Sequence, residues 1–130
     1  MRWMVDGMNV IGSRPDGWWR DRQQAMVDLV ARLEVWAEVT GEEVTVVFER
    51  RPSARITSDR VAIAHAPRAG RDAADDEIVS RLAADCQPET VRVVTSDRAL
   101  ADRGRILGGQ VEQAGRFRAA IDSAGHGPAR

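Results

Sequence analysis

Apolar residues along the chain fall into two alternating patterns. Short runs rich in β-branched residues stand at 2–6 (RWMVD), 44–49 (VTVVFE) and 90–97 (TVRVVTSD), with a weaker one at 61–64. Each has the length and composition of a buried strand. Between them, apolar positions recur at helical spacing. Met26, Leu29, Val30, Leu33, Trp36 and Ala37 form one face of a helix over about 19–39, with Gly41 as its C-cap. Ile78, Val79 and Leu82 mark a helix within 70–85, 98–107 reads as another, and 116–121 as the last. After a turn at Gly108-Gly109, residues 110–114 read as a short edge strand. The segments GSRPDG (12–17) and RRPSARITSD (50–59) read as a turn and an exposed loop. Strands alternating with helices predict an α/β fold, a parallel sheet covered on both faces with right-handed crossovers.

The strand ends carry the chemistry. The stretch MVDGMNVIG (4–12) breaks an apolar run with Asp6, Gly7 and Asn9, and a carboxylate at the mouth of a hydrophobic element is costly unless something pairs with it. Glu49 and Asp97 follow two other strands in the same way, and ligands of open parallel sheets bind beyond those carboxyl ends. Asp72, Asp75 and Asp76 sit at a helix start with spacing i, i+3, i+4, which predicts a shared face directed at the same crevice. Each acid has a structural alternative. Asp72 reads best as an N-cap, Asp97 serves equally well as one, and Asp6 could accept backbone N–H groups of the turn at Gly7. That last alternative leaves Asn9 unexplained. Clustered carboxylates raise one another's pKa unless a divalent cation neutralises them, and hard oxygen donors suit Mg²⁺ or Mn²⁺ rather than zinc. Such ions clamp phosphate oxygens and generate hydroxide, with Asn9 positioning water or a ligand carboxylate.

Composition narrows the options. The chain has 130 residues, 43% hydrophobic and 30% charged, which suits one soluble globular domain. Residues 1–122 are expected to form it and 123–130 a flexible tail. All 19 basic residues are arginine, so P-loop and Schiff-base lysine chemistry are excluded. His65, His126 and Cys86 do not make an ordinary zinc site, and Cys86 reads as inert packing. A single cysteine, with no signal-peptide pattern and no spanning apolar run, points to the cytoplasm.

The residues VDGMNVIG, with AADDEIVSRL and VRVVTSDRALADR following in order, resemble the three acidic motifs of YacP-like NYN domains, a family of PIN-like ribonucleases, over about residues 2–122. The resemblance implies a three-layer α/β/α fold around a five-stranded parallel sheet of order 3-2-1-4-5. It implies metal-dependent endonucleolytic cleavage of RNA. It places metal-binding acids at Asp6, Asp75 and Asp97, a companion asparagine at Asn9, and auxiliary roles at Asp76, Ser96, Glu49 and Asp72. Family members often carry aspartate where this chain has Glu49, whose extra methylene moves the carboxylate.

Single-stranded RNA is the expected partner, with the ribosome or translation machinery as a further candidate and no membrane. Arg50, Arg51 and Arg55 are candidates for phosphate contact. The pair Trp18-Trp19 reads as core or hydrophobic staple, with base stacking as the alternative. Competing functions are a non-catalytic RNA-binding module and an aspartate-based phosphatase or receiver domain. The latter lacks its lysine here, and Met8 stands where the phosphatase motif wants a second aspartate.

Overall fold

A computed structural model of the chain describes residues 1–68, 70 and 72–125. Five strands, β1 (Arg2–Asp6), β2 (Glu43–Phe48), β3 (Val61–His65), β4 (Val91–Val94) and β5 (Gln110–Glu112), form one sheet. The helices are α1 (Gly7–Ile11), α2 (Arg22–Thr40), α3 (Ala73–Ala83), α4 (Arg98–Ile106) and α5 (Ala114–Gly125). The sheet is entirely parallel, of order β3-β2-β1-β4-β5, as expected.

Alternation along the strands divides the core into two layers, because successive side chains of a strand point to opposite faces. Trp3 and Val5 of β1, Val44, Val46 and Phe48 of β2, and Val94 of β4 pack with α1, α2 and α5. Val47, Val91 and Val93 pack on the other face against Ala74, Ile78 and Leu82 of α3 and Leu100 of α4. In the first layer Trp3, Trp36 and Phe117 meet with ring centroids 5.0, 5.4 and 5.1 Å apart, which ties β1, α2 and α5 together.

The long helix begins later than its apolar pattern suggests. Trp18–Arg20 form a separate 3₁₀ turn, and Asp21 Oδ1 accepts the Gln24 N–H at 3.0 Å to cap α2. The helix ends at Gly41, whose φ of 72° is left-handed and whose N–H donates to the Ala37 carbonyl at 2.8 Å. Trp18 packs against the core as the sequence suggests, whereas Trp19 is 50% exposed. Cys86 is also exposed, so the expectation of packing is wrong for it; it lies in the turn between α3 and β4, outside both core layers.

No helix joins β2 to β3. The connecting loop is pinned to α2 instead: Gln23 Nε2 donates to the Ala54 carbonyl (2.9 Å), Ser58 Oγ to Glu34 (2.8 Å), and Arg60 to the Ala37 carbonyl (2.7 Å). At the C-terminal end, α5 runs past the expected limit of 121 to Gly125. The remainder of the expected tail, 126–130, lies outside the described residues. Among the described residues no helix is long and apolar enough to cross a membrane.

Candidate active site

The site forms where strand order reverses. The connection after β1 leads to β2 on one side, and β4 lies on the other, so loops diverge from the carboxyl end of β1 and leave a crevice there. Asp6 is the last residue of β1, level with Val47 of β2. It precedes α1, a five-residue helix that the sequence reading missed. Gly7 is required at this junction because a Cβ there would stand 2.6 Å from Cε1 of the buried Phe48 ring.

A crevice of about 310 Å³ above this point is lined by Asp6, Asn9, Glu49, Asp72, Asp75 and Asp97, with Met8 on one wall. Asp6 is only 5% exposed. Burial above all, and then the charge of Asp75, push its carboxyl up to about 7; the Asn9 backbone N–H and the Thr95 hydroxyl pull the other way, and Asp97 adds to the rise. Asp75, in the first turn of α3, is raised to about 6 by burial and then by Asp97 and Asp72, against the opposing pull of Arg103.

Hydrogen bonds lock the β1 and β4 ends together. Thr95 Oγ1 donates to Asp6 Oδ2 at 3.3 Å and accepts the Asp97 N–H at 3.1 Å. Asn9 Oδ1 accepts the Ser96 N–H at 2.7 Å. The asparagine therefore ties α1 to the β4–α4 turn that carries Asp97 while also lining the crevice. Thr95 is a site residue that the sequence reading passed over, although it stands inside VRVVTSD; the signal was a hydroxyl two residues before the strand-end acid.

The other sequence-derived positions separate. Asp97 both caps α4, accepting the Leu100 N–H at 2.9 Å, and lines the crevice, so its two readings hold together. Asp72 takes the N-cap position of α3 but makes no capping hydrogen bond from its side chain; its φ of 63° is left-handed, and the carboxylate lines the crevice instead, so the cap reading is overturned. Asp76 does not share the crevice face. It pairs with Arg103 of α4 at 3.2 Å, because one residue further around the helix turns it toward that neighbour. Glu49 lines the crevice and meets Arg22 at 3.5 Å. Ser96 Oγ accepts the Ala114 N–H at 3.1 Å and so fixes the start of α5. Arg51 and Arg55 line a separate hollow of about 840 Å³ between the β2–β3 loop and β3, and Arg50 does not.

The donors suit a hard divalent ion: all are oxygens, the deepest is a buried carboxylate raised first by burial and then by the acids near it, and none of the described lining residues is basic. Among the described residues no three acidic, imidazole or thiol side chains are already drawn into ion-holding geometry.

A parallel sheet of order 3-2-1-4-5 has counterparts among known proteins. The model of the YacP-like NYN domain matches residues 3–126. The chain belongs to the YacP-like NYN domain family. That membership places it among PIN-like nucleases and supports a ribonuclease type of function. The crystal structure of Rae1 (YacP) from Bacillus subtilis superposes with a TM-score of 0.76 at 22% identity, covering 97% of this chain and 76% of that one. A point mutant of the same protein gives 0.78 at 21% identity, covering 97% and 77%. At that identity the likeness speaks for the fold. A search of curated proteins finds no match.

Proposed function

We propose that this NYN domain is a metal-dependent endoribonuclease whose crevice binds Mg²⁺ or Mn²⁺ through Asp6, Asp75 and Asp97. The observation that carries the reading is the buried Asp6 carboxylate, held up to about 7 by burial and by the acids facing it. A group in that state is stabilised by a cation, and family membership supplies RNA as the substrate class.

The bound ion would supply Lewis acidity toward a phosphate oxygen and an activated water. The chain's own residues hold the frame. Thr95 fixes one Asp6 oxygen, Asn9 keeps the Asp97 turn against β1, and Glu49 and Asp72 edge the crevice as auxiliary acids within reach of water. Arg51 and Arg55, with Arg50 beside them, meet phosphates of single-stranded RNA on the β2–β3 side. Among the described residues these three arginines make no ion pair, which leaves their charge available to an anion.

The test is cleavage of a labelled RNA pool by purified protein with Mn²⁺ and with EDTA. Internal cuts that appear with metal and vanish in chelator are expected. Undiminished cleavage in excess EDTA overturns the metal reading, and RNA binding without any cleavage favours a non-catalytic module.

A further inference from the structure

A second basic hollow adjoins the acidic crevice on its opposite flank. It has a volume of about 490 Å³, opens at the carboxyl ends of β4 and β5, and shares Asp97 with the crevice. Three arginines line it. Arg98 and Arg105 lie on one face of α4 with Ala101 between them, spaced i, i+3, i+7. Arg116 stands on the far wall, in the first turn of α5. Guanidinium groups from two helices therefore flank one channel, with Val111 among its apolar lining.

These charges are little used within the protein. Arg105 meets Asp102 at 3.6 Å and Arg116 meets Glu112 at 3.9 Å, both between largely exposed arginines and carboxylates of their own or the adjoining element. Such loose pairs contribute little and are readily exchanged for a phosphate. Among the described residues Arg98 makes no ion pair. Of the two acids of the hollow, Asp97 caps α4 and faces the crevice, and Glu112 meets Arg116 only at 3.9 Å. Three arginines against two carboxylates leave the hollow basic, which attracts a polyanion, and beside a crevice read as a ribonuclease site the complementary polyanion is a phosphodiester chain.

We propose that Arg98, Arg105 and Arg116 form a phosphate-binding site for the single-stranded RNA chain on the β4–β5 side of the crevice. The strand is then held by arginines on both flanks of the acids, across the carboxyl edge of the sheet. This rests on the ribonuclease reading for the identity of the polyanion. It adds the half of the footprint opposite the Arg51–Arg55 hollow. A substrate gripped on both sides of the reacting phosphate is cut internally, and one too short to reach the β4–β5 channel loses affinity.

The experiment is fluorescence anisotropy of a labelled uridine RNA of about 12 nucleotides, a length within the range of single-strand binding sites. It is titrated in EDTA at several salt concentrations with the parent, the R98Q/R105Q/R116Q triple variant and Arg98→Gln alone. All three side chains are exposed, and thermal melts check that the fold is kept. Each phosphate contact on a single strand contributes about 0.7 to the slope of log K against log salt, so the triple variant should lose about 2 from the slope and the single variant about 0.7. An unchanged slope in both variants, or a parent that does not bind RNA, overturns the site. Cleavage of the same RNA by the parent in Mn²⁺ is scored separately. Cleavage with an unchanged slope refutes this site and leaves the ribonuclease reading; a reduced slope without cleavage refutes the ribonuclease and leaves the site.

Discussion

Replacing Asp6 by asparagine should remove most of the pH dependence of stability that the crevice imposes on the metal-free protein. The carboxyl is raised from 3.8 to about 7 on folding, so between those values the folded chain keeps a proton that the unfolded chain has released. Stability contributed by that proton is full in acid and is lost as pH rises through about 7. A gap of roughly three pH units at about 1.4 kcal/mol each is worth on the order of 4 kcal/mol, and with Asp6 almost wholly buried solvent screening takes little from it. Part of that figure belongs to the coupling with Asp75 and is not added twice. Asp6→Asn cannot ionise, and its Oδ1 can still accept the Thr95 hydroxyl, but its buried NH₂ costs about 1–3 kcal/mol where no acceptor meets it. The variant should be less stable than the parent near pH 4 and more stable, by about 1–3 kcal/mol, near pH 8, so the two curves cross. Urea unfolding followed by circular dichroism in EDTA across this range reads it directly. Parallel pH curves for parent and variant would refute a raised Asp6 carboxyl, and with it the buried, acid-flanked carboxylate on which the metal reading rests.

Asp75→Asn should leave the chelated protein as stable as the parent or slightly more so, and abolish most of the Mn²⁺-induced rise, which is about 2.7 kcal/mol for the parent at a hundredfold excess over Kd; thermal melts showing an equal rise in both reject Asp75 as a ligand. Changing Arg50, Arg51 and Arg55 together to glutamine should weaken RNA binding and lower its salt slope by up to about 2, and an unchanged slope assigns the loop to solubility alone. Gly7→Ala should cost about 1–3 kcal/mol, since its Cβ would enter the Phe48 ring at the base of the site, and an unaltered urea midpoint would show that the ring has room to give.

What local pattern determines was legible. The β-branched runs around Val44–Phe48 and Val91–Val94 and the spaced apolar face of α2 announce buried strands and a packed helix, because side-chain periodicity is a property of consecutive residues. Alternating elements imply a parallel sheet, and a carboxylate such as Asp6 or Asp97 at the end of an apolar strand marks the edge where chemistry gathers. Helix α1 was not legible, since five residues from Gly7 to Ile11 are too short to nucleate a helix and depend on packing against α2 and α5.

Only tertiary structure decided which acids meet. Asp75 and Asp76 are adjacent in sequence, yet the rotation of α3 against the sheet sends one into the crevice and the other to Arg103 of α4. Asp72 has the composition of a cap, but its left-handed backbone carries the side chain away from the helix end. Asn9 and Ser96 are 87 residues apart, and the bond between them exists only because β1 and β4 are neighbours. The same holds for Arg98, Arg105 and Arg116, which line one hollow although α4 and α5 pack on opposite faces of the sheet. Sequence determined the kinds of element and the supply of oxygen and guanidinium groups, through local sterics and periodicity. Their convergence came from sheet order and helix rotation, which are set by long-range packing that no local window contains.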